Sequence, residues 1–355
     1  MNEKTPEAAK VGVTLAYLAQ FDDIIDARSP AEFAEDHIPG AINLPVLDNE
    51  ERARIGTLYK QVSPFDAKKL GAALVAKNIG RHIEEQLMSK PKNWRPLVYC
   101  WRGGNRSGAL AHILNKIGWR TEQLDGGYKA YRKSVVEMLD TLPQRLRYRA
   151  VCGATGTGKS RLLAALAQQG AQVLDLEGLA AHRGSLLGSL PDEPQPTQKF
   201  FDTLLWTELQ KFDPARPVYV EAESKKIGNV RAPDALLDSM WQSPCVRLEA
   251  DAKLRVALLM EEYRHFLDNP ESLNAKLDCL VHLYGRETIA RWQEMALKGE
   301  WEPLVEELLV KHYDPAYNRS SRQHYPLYDA ALMLTVNGIG DEDFAGLARK
   351  ADAAA

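Results

Sequence analysis

The chain has only four cysteines in 355 residues, and Cys100, Cys152, Cys245 and Cys279 are too scattered for a disulfide framework or a paired metal spacing, so no zinc site is expected. No uninterrupted apolar run is long enough to span a bilayer. The polar start Met1-Asn2-Glu3-Lys4-Thr5 lacks the pattern of a secretion signal. Together these absences lead us to expect a cytoplasmic protein that uses no membrane. An excess of one charge is missing too. A formal net charge of −3 excludes indiscriminate, charge-driven binding to nucleic acid and leaves local patches as the place to look. Neither an internal repeat nor a low-complexity tract occurs beyond the tail Ala353-Ala354-Ala355.

What is present is the pattern of ordinary globular domains, and 355 residues are too many for one core. We place the boundary at Pro143, giving domains 1–142 and 143–355. In the first, residues 22–45 read as strand, loop and short strand. Asn49 to Lys90 has helical spacing of apolar residues and reads as an inserted helical layer. Strand Pro96 to Tyr99 follows, then strand-like Thr121 to Leu124, the turn Asp125-Gly126-Gly127 and a helix from Tyr128. In the second, strands Arg147 to Cys152, Gln172 to Leu176, Pro217 to Val220 and Cys245 to Leu248 alternate with helices. The pattern is wholly helical from about 252 to 312. Such alternation implies parallel sheets covered on both faces. The expected fold class is therefore α/β: an N-terminal parallel-sheet domain with a helical insertion, then a phosphate-loop α/β domain with a helical C-terminal part.

Two loops carry chemistry. In the first, the apolar run Pro96-Leu97-Val98-Tyr99 leads into Cys100-Trp101-Arg102-Gly103-Gly104-Asn105-Arg106-Ser107 and then a helix-like segment. A strand that ends in a cysteine, turns through glycines and opens a helix aims several backbone N–H groups at one spot. The helix dipole and the charges of Arg102 and Arg106 add to that field. The environment favours thiolate over thiol. It is a nucleophile in an anion cradle, suited to carrying a terminal sulfur or selenium atom or to attacking an oxyanion.

The second is Gly153-Ala154-Thr155-Gly156-Thr157-Gly158-Lys159-Ser160, which satisfies the phosphate-loop pattern after a strand and before a helix. Loop N–H groups can cradle a diphosphate, Lys159 can neutralise its oxygens and Ser160 can ligate Mg²⁺. The pattern specifies a polyphosphate rather than ATP. The metal's acidic partner belongs at the end of a neighbouring strand, where Asp175, Glu177, Glu221 and Glu223 are candidates. Asp175 and Glu177 serve equally well as helix caps. His182, Arg183 and Ser185 just beyond read as a polar loop near the phosphate end of the sheet. His37, beside a proline turn, reads as a tie to the backbone rather than a general base. Basic runs occur at Arg145, Arg147 and Arg149 and at Lys225, Lys226 and Arg231, each equally readable as a solvated face or a polyanion site.

These residues resemble a known family over nearly the whole chain. Asp26-Ala27-Arg28-Ser29-Pro30-Ala31-Glu32-Phe33, His37-Ile38-Pro39-Gly40-Ala41-Ile42-Asn43-Leu44-Pro45 and Leu124-Asp125-Gly126-Gly127-Tyr128-Lys129-Ala130-Tyr131 match the opening and closing signatures of a rhodanese domain. Such a domain followed by a phosphate loop, in a chain of this length, is similar to the tRNA 2-selenouridine synthases. Leu176 to Ser185, Glu221 to Gly228 and His312 to Tyr317 support the match.

The resemblance implies conversion of wobble 2-thiouridine in tRNA to 2-selenouridine with selenophosphate as donor, by way of S-geranylation from geranyl diphosphate. Under it, Cys100 takes or positions selenium while Arg102 and Arg106 bind the anionic donor. Gly153, Thr155, Gly156, Thr157, Gly158, Lys159 and Ser160, with Asp175, Glu177, Arg183, Glu221 and Glu223, hold the diphosphate and any Mg²⁺. The geranyl chain is expected among the apolar helices after Ala252. Arg147, Arg149, Lys225, Lys226 and Arg231 grip the anticodon arm, the first two lining a cleft common to both sites. Trp101, Tyr313 and Tyr317 stack an extruded base. The competing readings are an ATP-dependent rhodanese-type sulfurtransferase and a noncatalytic module binding RNA and nucleotide.

Overall fold

A computed structural model describes residues 15–354, and the chain divides into two compact units, 1–138 with 199–210 and 139–198 with 211–355. The first unit holds a four-stranded parallel sheet of β1 (Asp23–Asp26), β2 (Ile42–Asn43), β3 (Pro96–Tyr99) and β4 (Glu122–Gln123), in the order β2-β1-β3-β4. All four residues of β3 are buried, as expected for an inner strand covered on both faces.

The expected inserted layer is present as helices Asn49–Gln61 and Pro64–His82, the second running into a wider turn at Ile83–Leu87. Asp48 and Glu51 exchange side-chain-to-backbone hydrogen bonds of 2.7 and 3.0 Å at the first helix start. Ser63 caps the second, with proline at its first position. The layer sets Val75, Ile79, Ile83 and Leu87 against Ile25, Val98, Leu110 and Leu114.

The unit also takes a helix from far along the chain. Within Gln198–Leu209, Phe200 stacks on His37 at 4.6 Å, Trp206 meets Tyr131 edge-on at 5.5 Å and Asp202 pairs with Arg132. Contact thus puts 199–210 with the first unit, whereas the sequence boundary at Pro143 assigned them to the second.

The second unit holds β5 (Arg147–Cys152), β6 (Gln172–Leu174), β7 (Pro217–Glu221), β10 (Cys245–Glu249) and β11 (Leu332–Thr335). All neighbours are parallel, in the order β11-β10-β5-β7-β6. A short hairpin of β8 (Lys226–Ile227) and β9 (Val230–Arg231) stands apart. The strand after Leu174 stops earlier than expected because Asp175 accepts from Gly178 N at 2.8 Å and caps the helix Leu176–Ala180.

Helices continue past His312 to His324, and the chain then returns to the sheet as β11, a strand we did not expect from sequence. Leu163 and Leu166 of helix Lys159–Gln168 share a core with Val151, Val246, Leu334, Phe344 and Leu347. The helical part builds a separate core around Phe266, Leu273, Leu277, Ile289, Trp292, Leu304 and Leu308. Among the described residues, no helix is long and apolar enough to cross a membrane.

Candidate active sites

The first site is the loop that follows β3. Cys100, only 3% exposed, receives a hydrogen bond at Sγ from the Ser107 hydroxyl at 3.1 Å. Burial pushes its thiol up. Hydrogen bonds from the Ser107 side chain and from the backbone N–H groups of Ser107, Arg102 and Gly104 outweigh it, and the net direction is down. Gln123 holds the donor in turn, reaching Ser107 Oγ at 2.8 Å and the Gly103 and Gly104 carbonyls.

The closing signature braces this loop from below, where Tyr128 N and Lys129 N donate to the Cys100 and Trp101 carbonyls at 2.8 and 2.9 Å. Gly127 is required there, because at φ +57° a Cβ would lie 2.3 Å from the Cys100 carbonyl. The early signature supplies the support for that brace: buried Arg28 is paired with Asp26 at 2.6 Å and sits 3.9 Å over the Tyr128 ring, whose hydroxyl donates to Asp36. Arg106 is held by Glu32 at 2.7 Å, whereas Arg102 is exposed at the rim. His37 ties to Phe33 O at 2.9 Å between two phenylalanine rings, as its proline turn suggested. Sequence reasoning missed Ser107, Gln123 and Glu32; only Ser107 carried a local signal, one helical turn into the helix that the cysteine loop opens.

The second site is built by the loop after β5. Gly156 and Gly158 adopt φ of +80° and +81°, and an added Cβ would meet Leu259 and the Phe344 ring at 2.9 and 2.4 Å. Lys159 Nζ donates to Gly153 O at 3.0 Å and lies 3.8 Å from Glu221, and Thr157 Oγ1 donates to Ala154 O. Arg255 reaches the Thr155 carbonyl at 2.8 Å and pairs with Asp314, a support that no motif announced.

Carboxylate oxygens of Glu177, Glu221 and Glu223 lie within 4.8 Å of one another, and the Ser160 hydroxyl donates to Glu177 at 3.3 Å. Burial and mutual repulsion push Glu177 and Glu221 up. Crowded oxygens beside the loop serine fit a hard divalent cation such as Mg²⁺. Asp175 does not join them as a ligand, its Oδ1 being spent on the cap. Arg183 stacks on Tyr263 at 4.9 Å and donates to the Glu262 carbonyl. His182 is buried next to the site but does not line the cavity of about 810 Å³ that joins the loop, the carboxylates, Arg183 and Ser185.

Of the residues assigned to RNA, Lys225, Lys226, Tyr313 and Tyr317 line this cavity, and Arg231 stands across the hairpin from Lys226. Trp101 belongs to the other unit, half-exposed 5.4 Å from Tyr128. Arg147 and Arg149 require a correction. They open β5, whereas the phosphate loop follows its other end, and they line a different cavity with Gln172, Arg216, Pro217 and Pro244, at the start of the strands. Arg149 there donates to Ala354 O at 2.6 Å. Sequence proximity suggested a shared cleft; the length of one strand separates them.

The fold and sites define an enzyme class in which a rhodanese-like thiol domain is joined to a phosphate-loop domain. Family models agree: residues 14–134 match the rhodanese-like domain and residues 146–278 the tRNA 2-selenouridine synthase AAA domain. A tRNA 2-selenouridine synthase of Nitrosomonas europaea is 33% identical over 73% of this chain and 68% of its own. Another from Alcanivorax borkumensis is 32% identical over 86% of this chain and 92% of its own. A third, from Bdellovibrio bacteriovorus, is 34% identical over 77% and 74%. The chain belongs to the tRNA 2-selenouridine synthase family and is a transferase of the tRNA-modifying kind.

Proposed function

We propose that this chain converts 2-thiouridine at the tRNA wobble position to 2-selenouridine, with selenophosphate as selenium donor and an S-geranyl intermediate drawn from geranyl diphosphate. The observation that carries the reading is the possession of two different anion sites, one built around a thiol and one around a lysine and three carboxylates. A sulfurtransferase alone needs only the first.

In the phosphate-loop unit, loop N–H groups and Lys159 bind the diphosphate. As the thiouridine sulfur attacks the allylic carbon, the carbon–oxygen bond breaks and Lys159 stabilises the departing diphosphate. Ser160, Glu177, Glu221 and Glu223 would hold Mg²⁺, which when bound adds charge neutralisation at the leaving group. Thr155, Leu259, Tyr263 and Tyr313 line both the phosphate cavity and a narrow apolar cavity of about 60 Å³ walled by Phe266, Leu304 and Leu308. That is where the geranyl chain runs, after its walls part to admit it. S-alkylation turns the sulfur into a better leaving group for selenium's attack on carbon 2. The Cys100 thiolate attacks the phosphorus of selenophosphate, the phosphorus–selenium bond breaks, and the selenide released attacks carbon 2 as geranylthiolate leaves. Water then frees phosphate from Cys100. Arg102 faces the anionic donor and Arg106 orients the loop through Glu32.

Mass spectrometry of wobble nucleosides after incubation with thiolated tRNA tests the reading. Geranyl diphosphate alone should give S-geranyl-2-thiouridine, and added selenophosphate should give 2-selenouridine. Absence of both products, or sulfur transfer that consumes ATP, would overturn it.

A further inference from the structure

The cavity beside the phosphate loop is larger than a diphosphate needs, and part of its wall has no role in holding one. Tyr317 and Tyr313, its obvious aromatics, are committed elsewhere. The Tyr317 hydroxyl accepts from Gly153 N at 2.5 Å, and Tyr313 packs into the helical core that borders the apolar cavity. Two further rings of the cavity wall stack on each other. Trp241, at the end of helix Asp234–Trp241, and His324, at the end of helix Asp314–His324, stack with centroids 4.7 Å apart and planes 29° apart.

Neither ring was marked by a sequence motif, and each is half-buried. Trp241 packs on the cluster of Ala150, Cys152, Cys245, Tyr325 and Tyr328, which fixes the pair against the sheet. Cations stand in the same stretch of wall. Lys225 and Lys226 line it, and Arg231 faces Lys226 across the hairpin. Lys225 pairs with Asp234, a contact exposed on both sides that exchanges readily for a phosphate.

A π-face flanked by cations in a cavity is what an unpaired nucleotide of RNA recognises: the base stacks and the backbone on either side is neutralised. We infer that Trp241 and His324 form the stacking platform for the nucleobase to be modified, with Lys226 and Arg231 on the flanking phosphates. The inference rests on the tRNA reading above and names the residues that receive its substrate. The platform is sequence-tolerant, because every base offers a π-face, so choice of the base falls to its contacts at the phosphate loop.

The test uses the full chain and an anticodon stem-loop carrying 2-thiouridine, beside the same RNA made abasic at that position, with binding read by fluorescence anisotropy. The wild-type chain should prefer the intact loop by about ten- to a hundred-fold, the usual worth of one stacked base. His324→Ala should bind both RNAs equally, while His324→Phe, which keeps a ring, should retain the preference. Lys226→Gln with Arg231→Gln should weaken both RNAs alike and lower the salt dependence, which His324→Ala should leave unchanged. Unchanged melting temperatures show that each variant folds. A preference that survives His324→Ala overturns the inference while leaving the tRNA reading intact. No binding of either RNA by the wild-type chain overturns the reading, and the inference with it.

Discussion

The cysteine loop after β3 and the phosphate loop after β5 share one plan and serve opposite ends. Each follows a strand with parallel neighbours on both sides, β1 and β4 in one sheet and β10 and β7 in the other, and each opens a helix. Each therefore gathers N–H groups at a helix start. In the first, the protein supplies the anion itself. The Cys100 sulfur occupies the cradle, and the segment from Leu124 to Lys129 closes the loop through backbone hydrogen bonds. In the second, the cradle opens on a cavity of about 810 Å³, and the side chains around it are a lysine and three clustered glutamates. Backbone geometry makes an anion site in both. The side chain placed in it decides whether the site is a nucleophile or a receptor.

The largest effects should come from removing that deciding side chain. Cys100→Ser should abolish selenium incorporation and leave S-geranylation at the wild-type rate, because a serine hydroxyl is too weak a nucleophile to release selenide from selenophosphate while the diphosphate site is untouched. Lys159→Ala should slow geranyl transfer by roughly 10² or more, the scale for losing one donor to developing negative charge, and 2-selenouridine output from thiolated tRNA with it, while selenium incorporation into supplied S-geranyl tRNA persists. Nucleoside analysis after each reaction decides. Normal 2-selenouridine output from Cys100→Ser would end the division of labour drawn here.

Next in size are the glycines. Gly127→Ala forces a side chain into backbone atoms at a positive φ and should cost about 2 kcal/mol or more, with loss of Cys100 reactivity. Gly104→Ala, where a Cβ meets nothing within 4 Å, should melt within about 1 °C of wild type and keep its reactivity. Equal melting temperatures for the two would show that the brace from Gly127 is not what closes the loop.

A smaller effect concerns pH. The hydrogen bonds at Cys100 favour the thiolate and lower its pKa, so its alkylation should remain fast below the pH at which an ordinary thiol protonates. Ser107→Ala removes the side-chain donor and should move the midpoint of the alkylation–pH profile upward. A midpoint that stays still would mean that the backbone N–H groups alone set the thiolate.

The smallest effect separates the two ends of the strands in the second sheet. Lys225→Gln with Lys226→Gln should reduce the salt slope of tRNA binding by roughly 0.7 to 0.9 per lost phosphate contact. Neutralising Arg147 and Arg149 should leave it unchanged, since they lie at the opposite ends of the strands. A flattened slope in the arginine pair would carry the RNA around to that end.

The sequence by itself determined the two loops, and with them the order of the units and the α/β class. Glycines, a cysteine or lysine, and the start of a helix within eight residues encode a local backbone path that needs little from elsewhere. The insertion after Asn49 was legible for the same reason, its period being local. What only the tertiary structure decided depends on residues far apart in the chain. Glu32 claimed Arg106, the helix at 199–210 joined the first unit through Phe200 and Trp206, and Asp175 spent its carboxylate on a cap while Glu177 stayed with the other glutamates. Strand β11 escaped notice because four residues with a half-exposed Met333 carry no clear period, and only pairing with β10 makes them a strand. Arg147 is close to Lys159 in sequence yet a strand's length away, while Trp241 and His324, 83 positions apart, share a stack. An extended strand carries residues close in sequence to opposite ends of a sheet, and packing brings distant ones together wherever burial repays the ordering of the chain between them.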